Sequence, residues 1–453
     1  MQVDVVVLGL GPGGELVANR LAGAGLTVVG VDRDLVGGEC PFYGCTPSKL
    51  MIRSSDVLAE AGRVNRLAGT ATVRPDWSVA AARIRAANHG WHDDAHVERL
   101  ETAGVPVVRG HGRLDGPGRV VVTGADGSTH EYAATRGVVL NSGTEPARPP
   151  IEGLGDTPYW TNREVFRVTE LPSSLIVIGG GSIGAELAQA FARFGVRVTV
   201  AETAERILEP AEPEASAVIA EVFAREGIEV IVGATISRVD HDGTFHVQVD
   251  GRTLDADQLL VATGRRTNLS DVGLETVGLD PSASFVETDE QMRAADRLWA
   301  VGDITGRGQF THVSRYQGAI AVRDILGEDG GTADYRALVG VTFTDPEVAG
   351  VGMTESRARE AGLSVLVGNA QIPKSSRGWI HGIGNDGIVK VVADAERGVL
   401  VGATVVGPYG GEIIGLLATA VHAEVPVGTL RGMHFAYPTF NRTIEFALED
   451  LGI

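Results

Sequence analysis

VDVVVLGLGPGGELVANRLAGAGLTVVGVD, residues Val3–Asp32, decides how the chain is read. Val3–Leu10 is a nearly unbroken β-branched run, the pattern of a parallel strand covered on both faces. Gly9-Leu10-Gly11-Pro12-Gly13-Gly14 then fits G-x-G-x-x-G. A helical stretch, GELVANRLAGAG, follows, and LTVVGVD supplies a second strand ending at Asp32. Each part has a physical task. Gly9 permits the turn, Gly11 lets backbone approach a pyrophosphate, and Gly14 lets the helix pack on the strand. The helix N-terminus attracts phosphate. Asp32 stands where a carboxylate accepts from ribose hydroxyls. Strand, glycines, helix, strand and acid in this order read as a dinucleotide site.

The unit recurs. SSLIVIGGGSIGAELAQAFARFGVRVTVAE, residues 173–202, places Gly179, Gly181 and Gly184 in the same fingerprint and Glu202 at the end of the second strand. Two such sites imply two dinucleotides, with electrons entering at one and leaving at the other. Glu202 favours NAD(H) over NADP(H), because a carboxylate repels a 2′-phosphate. Arg206, four residues further on, leaves NADPH open.

The rest of the composition excludes several classes. A chain of 453 residues is too long for one core and implies two to four domains. The net charge of −19 argues against nucleic acid and anionic membrane partners. No apolar run reaches a membrane span, and MQVDVVVLGLGPGG lacks the charged start of a signal peptide. A cytoplasmic location is expected.

The only two cysteines fall in GGECPFYGCTPSK, residues 37–49. A metal clip needs three or four ligands and finds two thiols with no nearby histidine, so no metal site is expected there. A structural disulfide is disfavoured by the expected compartment. A redox pair has a mechanism: Cys45 precedes a helical stretch, SKLMIRSSDVLAEA, whose N-terminal dipole lowers a thiol pKa.

Taken together, the chain resembles the flavin-dependent pyridine nucleotide–disulfide oxidoreductases, the family of dihydrolipoamide dehydrogenase, glutathione reductase and mercuric reductase. The motifs that carry the resemblance span nearly the whole chain. They are both fingerprints, Cys40-x-x-x-x-Cys45 with Pro47 and Lys49, Ala262-Thr263-Gly264-Arg265, Trp299-Ala300-Val301-Gly302-Asp303, and the run Val341–Glu347. The implied fold class is α/β, with two Rossmann-like dinucleotide-binding domains and a C-terminal α+β dimerisation domain. Residues 1–145 and 269–330 would bind FAD, 146–268 would bind NAD(P), and 331–453 would form the interface of a homodimer. The resemblance assigns Gly9, Gly11, Gly14, Asp32, Gly38, Lys49, Gly112, Gly143, Gly302 and Asp303 to FAD. It assigns Gly179, Gly181, Gly184, Glu202 and Gly264 to NAD. Cys45 would be the thiolate facing the flavin, Cys40 the interchange thiol, and Lys49 and Glu186 an ion pair beside the flavin. The acceptor would be a small molecule.

One stretch departs from the family. Disulfide-reducing members carry His-Pro-Thr near the C-terminus, with a Glu five residues after the His as its orienting partner. Here Tyr437-Pro438-Thr439 and Arg442 stand at those positions. His434 and Glu445 are each three residues out of register. Tyrosine, with an ordinary pKa near ~10, is a poor base at neutral pH, so Tyr437 counts as a site residue whose role differs from the histidine's. Reduction of a quinone, a metal ion or another small acceptor, or transhydrogenation, therefore stands beside disulfide reduction.

Three smaller expectations follow. Phe42 and Tyr43, between the cysteines, line an acceptor site or simply pack locally. HGWHDDAH, residues 89–96, reads as a solvated turn. Trp379 and His381 read as an exposed, hairpin-like loop.

Overall fold

The structure is a computed structural model and describes residues 1–452. The chain folds into two compact units. One comprises Met1–Pro47, Arg83–Ala147 and Arg265–Asp334; the other comprises Ser48–Ala82, Arg148–Gly264 and the chain from Tyr335 onward.

The first unit is built on a parallel sheet in the order Val107–Arg109, Val28–Asp32, Gln2–Leu8, Thr129–Leu140, Leu298–Ala300. Val5 and Val7 point to a core shared with helices Pro12–Gly23 and Thr311–Leu326. Val6 and Leu8 point to the opposite core, with Val120, Val122 and Tyr132 of an antiparallel meander. This alternation of strand side chains is why a two-sided sheet needs the unbroken β-branched run seen in the sequence. The chain leaves Gln2–Leu8 toward one neighbour and returns on its other side. The resulting crevice, at the carboxyl ends of Gln2–Leu8 and Thr129–Leu140, is where nucleotides bind in such sheets, and the first fingerprint sits there.

The second unit repeats the theme with a parallel sheet ordered Glu229–Ile231, Arg197–Ala201, Ser174–Ile178, Gln258–Val261, flanked by helix Ser182–Arg193. A three-stranded meander from Ile236 to Ala256 packs its Val239, Phe245, Val247 and Val249 beneath. The same unit holds a five-stranded antiparallel sheet, Val339–Thr342, Glu347–Gly352, Val399–Gly407, Ile388–Asp394, Val365–Gln371. Helices Gly410–His422 and Arg442–Glu449 cover it through Ile413, Leu417, Ile444 and Leu448.

Polar ties fasten the parts of this unit. One face of helix Ser182–Arg193 presents Ser182, Glu186, Gln189 and Arg193 at helical spacing. Ser182 meets Thr342 at 2.6 Å, Glu186 accepts from the Phe343 N–H at 2.8 Å, and Gln189 bonds the Asp345 backbone at both ends. Arg193 pairs with Asp56, Glu226 and Asp345, each within 2.8 Å. Lys390, 2% exposed on strand Ile388–Asp394, reaches Glu212, Glu214 and Glu355 at 3.0, 2.8 and 2.9 Å.

Two local expectations are corrected. Ser376–His381 is a short helix rather than a hairpin, because the Ser375 hydroxyl accepts from the Gly378 N–H and caps it. Trp379 is 78% exposed on it, whereas the His381 ring packs 5.5 Å from that of Phe440. Residues 89–96 are a solvated turn only in part: His89 and His92 are exposed at a turn, but other residues of the segment are anchored. Asp93 is buried and accepts from the Val36 N–H at 2.6 Å, and the His96 ring bonds Glu15 at 2.8 Å. The segment pins the loop that leads into the cysteines.

Candidate active site

The first fingerprint forms a cradle whose shape depends on missing side chains. A Cβ on Gly9 would lie 2.2 Å from the Asn141 carbonyl oxygen, and one on Gly14 would lie 2.0 Å from that of Gly9. Gly38, at φ +72°, rests on Gly11, where a Cβ would come within 2.8 Å of the Gly11 Cα. Helix Pro12–Gly23 begins with proline after Gly11, which has no side chain of its own to cap it, and Asn141 takes the Gly14 N–H of its first turn. Close backbone access at a helix N-terminus fits a pyrophosphate. Asp32 accepts from the Leu10 N–H at 2.7 Å and the Asp34 N–H at 2.9 Å; burial pushes its carboxyl up to about 6. Gly302 closes over Asn141 and Ser314. Asp303 accepts from the Thr144 hydroxyl at 2.7 Å, and burial raises its carboxyl. Gly143 lies in the same segment with positive φ, whereas Gly112 lies in strand His111–Leu114 facing Leu8 and Val31. The residues present fit the adenine-dinucleotide part of FAD.

The two thiols lie in this same unit. Helix Glu39–Phe42 carries Cys40, and Cys45 is the first residue of helix Cys45–Leu67. No disulfide joins them. Cys40 is half-buried, Cys45 is exposed, and they hydrogen-bond to each other. That bond, and then burial, push the Cys40 thiol well above its ordinary range. The Thr311 hydroxyl lies 3.4 Å from the Cys45 Sγ and also bonds Cys40. Phe42 and Tyr43 are both buried, and the Phe42 carbonyl accepts from Asn88 at 3.1 Å and Trp91 at 3.2 Å. Packing, rather than an acceptor site, accounts for the two aromatics.

Three residues were given no role by the sequence reading. Asn141 accepts from the Gly14 N–H at 2.7 Å and donates to the Val301 carbonyl at 2.9 Å, tying the fingerprint to the strand before Gly302. Arg265 holds Thr144 through both its hydroxyl and its carbonyl at 2.7 Å and pairs with Glu39 beside Cys40 at 3.3 Å. Thr311 is the third. A helix start after TGRGQF was the one signal pointing to it.

The second cradle, in the other unit, copies the first. A Cβ on Gly179 would lie 2.4 Å from the Ala262 carbonyl oxygen and one on Gly184 1.9 Å from that of Gly179, while Gly181 faces open space at an uncapped helix start. Glu202 accepts from the Gly180 N–H at 2.6 Å, as Asp32 does from Leu10. Its other oxygen accepts from Ala204 at 2.7 Å. Gly264, at φ +108°, ends the neighbouring strand's loop. Arg206 is turned onto the carbonyls of Glu209 and Ala211 at 2.7 and 3.2 Å.

Lys49 and Glu186 meet at 2.7 Å, as their positions implied, and the ammonium sits 4.5 Å from the Phe343 ring centre. Tyr437 is 65% exposed, its bond to Pro438 is cis, and the Arg442 guanidinium lies 5.0 Å from its ring centre. Arg442 also pairs with Glu445 at 2.9 Å. Among the described residues no cluster of three or more His, Cys, Asp or Glu side chains could hold a metal ion, and no helix is long and apolar enough to cross a membrane.

Known proteins share this arrangement. Residues 3–318 match the family model described as pyridine nucleotide-disulphide oxidoreductase, and residues 338–447 match the dimerisation domain of the same family. A dihydrolipoyl dehydrogenase from Halobacterium salinarum is 34% identical over 462 residues, covering 99% of this chain and 96% of that one. The solved structure of LpdA from Mycobacterium tuberculosis is 29% identical with a TM-score of 0.87, covering 99% of this chain and 100% of the other. The Cu(II) complex of RclA, an HOCl-induced flavoprotein disulfide reductase from Escherichia coli, is 25% identical with a TM-score of 0.87 over 99% of both chains. The chain belongs to the pyridine nucleotide–disulfide oxidoreductases, flavoprotein enzymes that draw on NAD(P)H.

Proposed function

We propose that the protein is an NADH-dependent oxidoreductase whose Cys40–Cys45 pair carries electrons to a small disulfide substrate, in the manner of a dihydrolipoamide dehydrogenase. The observation that carries this reading is the contact between two thiols in the unit that holds the first cradle. FAD, when bound, supplies two-electron transfer between a nicotinamide and a disulfide. The protein's own residues do the rest. Gly9, Gly11, Gly14, Gly38 and Gly302 give the nucleotide close backbone access, and Asp32 and Asp303 orient its hydroxyls. Gly179, Gly181, Gly184 and Gly264 do the same for NAD. Both Glu202 oxygens take backbone N–H bonds, and Arg206 is engaged by carbonyls. That arrangement favours a ribose diol over a 2′-phosphate, so NADH is the expected donor. Lys49 holds positive charge against Glu186. Cys40 attacks the substrate disulfide and Cys45 closes the internal one. In this reading residues 1–145 and 269–330 serve FAD, 146–268 serve NAD, 331–453 pair two copies, and the enzyme works in the cytoplasm.

A second reading, transfer to a metal ion or quinone, is favoured by one observation. Tyr437 and Arg442 stack on each other where disulfide-reducing members place a histidine and its glutamate, and the similarity to the Cu(II) complex of RclA points the same way. Steady-state turnover with NADH and NADPH against disulfides, quinones and Cu(II), in the wild type and Cys40→Ser, separates the two. The first reading expects the variant to lose essentially all turnover of the preferred disulfide. Retained turnover with the best acceptor overturns it in favour of the second.

A further inference from the structure

We propose that Glu39 is a positioning residue for disulfide exchange: through Arg265 it fixes the helix that carries Cys40 to residues assigned to the flavin nucleotide. The inference rests on the disulfide-exchange reading above and deepens it. Cys40 must align its sulfur with Cys45 to close the internal disulfide and with the substrate to open the other one. Its helix, Glu39–Phe42, is a single turn, too short to hold itself. Gly38, just before it, has no side chain to cap that turn. Its orientation has to come from contacts made at its two ends.

The Phe42 end is held by its carbonyl, which accepts from Asn88 and Trp91. At the other end the Glu39 carboxylate meets the Arg265 guanidinium at 3.3 Å. The two side chains are 26% and 11% exposed, so the pair is shielded from the solvent that weakens surface ion pairs. Arg265 is fixed in its turn. It lies in the two-stranded ribbon that pairs Arg265–Arg266 with Glu145–Pro146, where Arg266 also meets Glu145 at 2.7 Å. Its Nε donates to the Thr144 hydroxyl and its Nη2 to the Thr144 carbonyl, both at 2.7 Å. The Thr144 hydroxyl accepts from Arg265 and donates its one proton to Asp303 at 2.7 Å. Glu39, Arg265, Thr144 and Asp303 thus form a continuous polar chain from the Cys40 helix to a carboxylate of the first cradle. A misplacement of about 1 Å costs up to about a hundredfold in rate, and a chain of this kind prevents one.

The test is the equilibrium of the Cys40–Cys45 disulfide with a glutathione redox buffer, between pH 6 and pH 9. It is read by mass spectrometry after alkylation of the flavin-loaded protein. Glu39→Ala should lower the equilibrium constant for closure by about tenfold, a rise of about 30 mV in reduction potential. The factor relative to wild type should be the same at every pH, because lost alignment does not depend on thiol ionisation. Disulfide turnover should fall in kcat while the KM for NADH stays within about twofold. Arg265→Lys keeps the charge and loses the fork that grips Thr144. It should reproduce the shift, and the double variant should be no worse than the more impaired single one. A wild-type equilibrium in Glu39→Ala overturns the proposal. So does a fall confined to the alkaline end, which would show Glu39 acting by charge on the thiols, and so do single effects that simply add. If Arg265→Lys loses its flavin, the Glu39→Ala equilibrium decides alone. A parallel arm replaces glutathione with NADH. Failure of NADH to expose either thiol in the wild type sinks the underlying reading, and the proposal with it. Success there with an unchanged Glu39→Ala equilibrium sinks the proposal alone.

Discussion

The contacts of greatest consequence at the residue scale were those least visible in the sequence. Cys40, Cys45, Lys49 and Glu186 could be named because their motifs are local runs. Thr311 lies 266 positions from Cys45, and Asn141 lies 127 from Gly14. A lone hydroxyl or amide carries no periodicity to betray it. Asp56 is another such residue. Burial pushes its carboxyl from the ordinary 3.8 up to about 7, against the pull of Arg193. Its native form therefore keeps a proton that the unfolded chain has released across that window. The stability it lends is complete below about pH 4 and is lost as pH rises through about 7. Asp56→Asn imitates the protonated acid. Its melting temperature should fall less between pH 5 and pH 8 than that of the wild type. Parallel declines measured by calorimetry would contradict the assignment.

Elements were legible wherever burial imposed a pattern. Both strand–turn–helix units followed from their β-branched runs and glycine placement. The short helix Ser376–His381 did not, because its SSRGWIHG context is glycine-flanked and its stability comes from one serine cap. The two cradles offer a controlled comparison, since Gly14 and Gly184 meet the first glycine's carbonyl oxygen at nearly equal virtual distances, 2.0 and 1.9 Å. An added methyl must push helix from strand in either case. Gly14→Ala should give protein purified with little bound flavin, read from visible absorbance. Gly184→Ala should keep its flavin and raise the KM for NADH by about tenfold or more, the cost of roughly 1.4 kcal/mol of lost binding. Flavin loss in both variants, or in neither, would show that the cradles do not act separately.

The molecule as a whole was read most directly from motif order, because fingerprint, cysteines, second fingerprint and interface segment follow one another along the chain. Which surfaces pair two copies was not readable, since an exposed aromatic looks like a core one until the chain is folded. Trp379, Tyr409, Tyr437 and Phe446 all stay exposed in the part matching the dimerisation domain. Tyr409→Asp, at a left-handed position that aspartate tolerates, should shift light-scattering mass from about twice 47.4 kDa toward a single chain. A variant that remains fully dimeric at micromolar concentration would remove Tyr409 from the interface. The Lys390 cluster carries a different lesson. One ammonium answers to three carboxylates, so Lys390→Met should cost about 3–5 kcal/mol in urea unfolding. Its neighbours Glu212, Glu214 and Glu355 are spread over two other segments. Mutational drift at Lys390 is therefore trapped: a lineage would have to neutralise several distant acids first, and each of those intermediate sequences leaves the lysine with fewer partners.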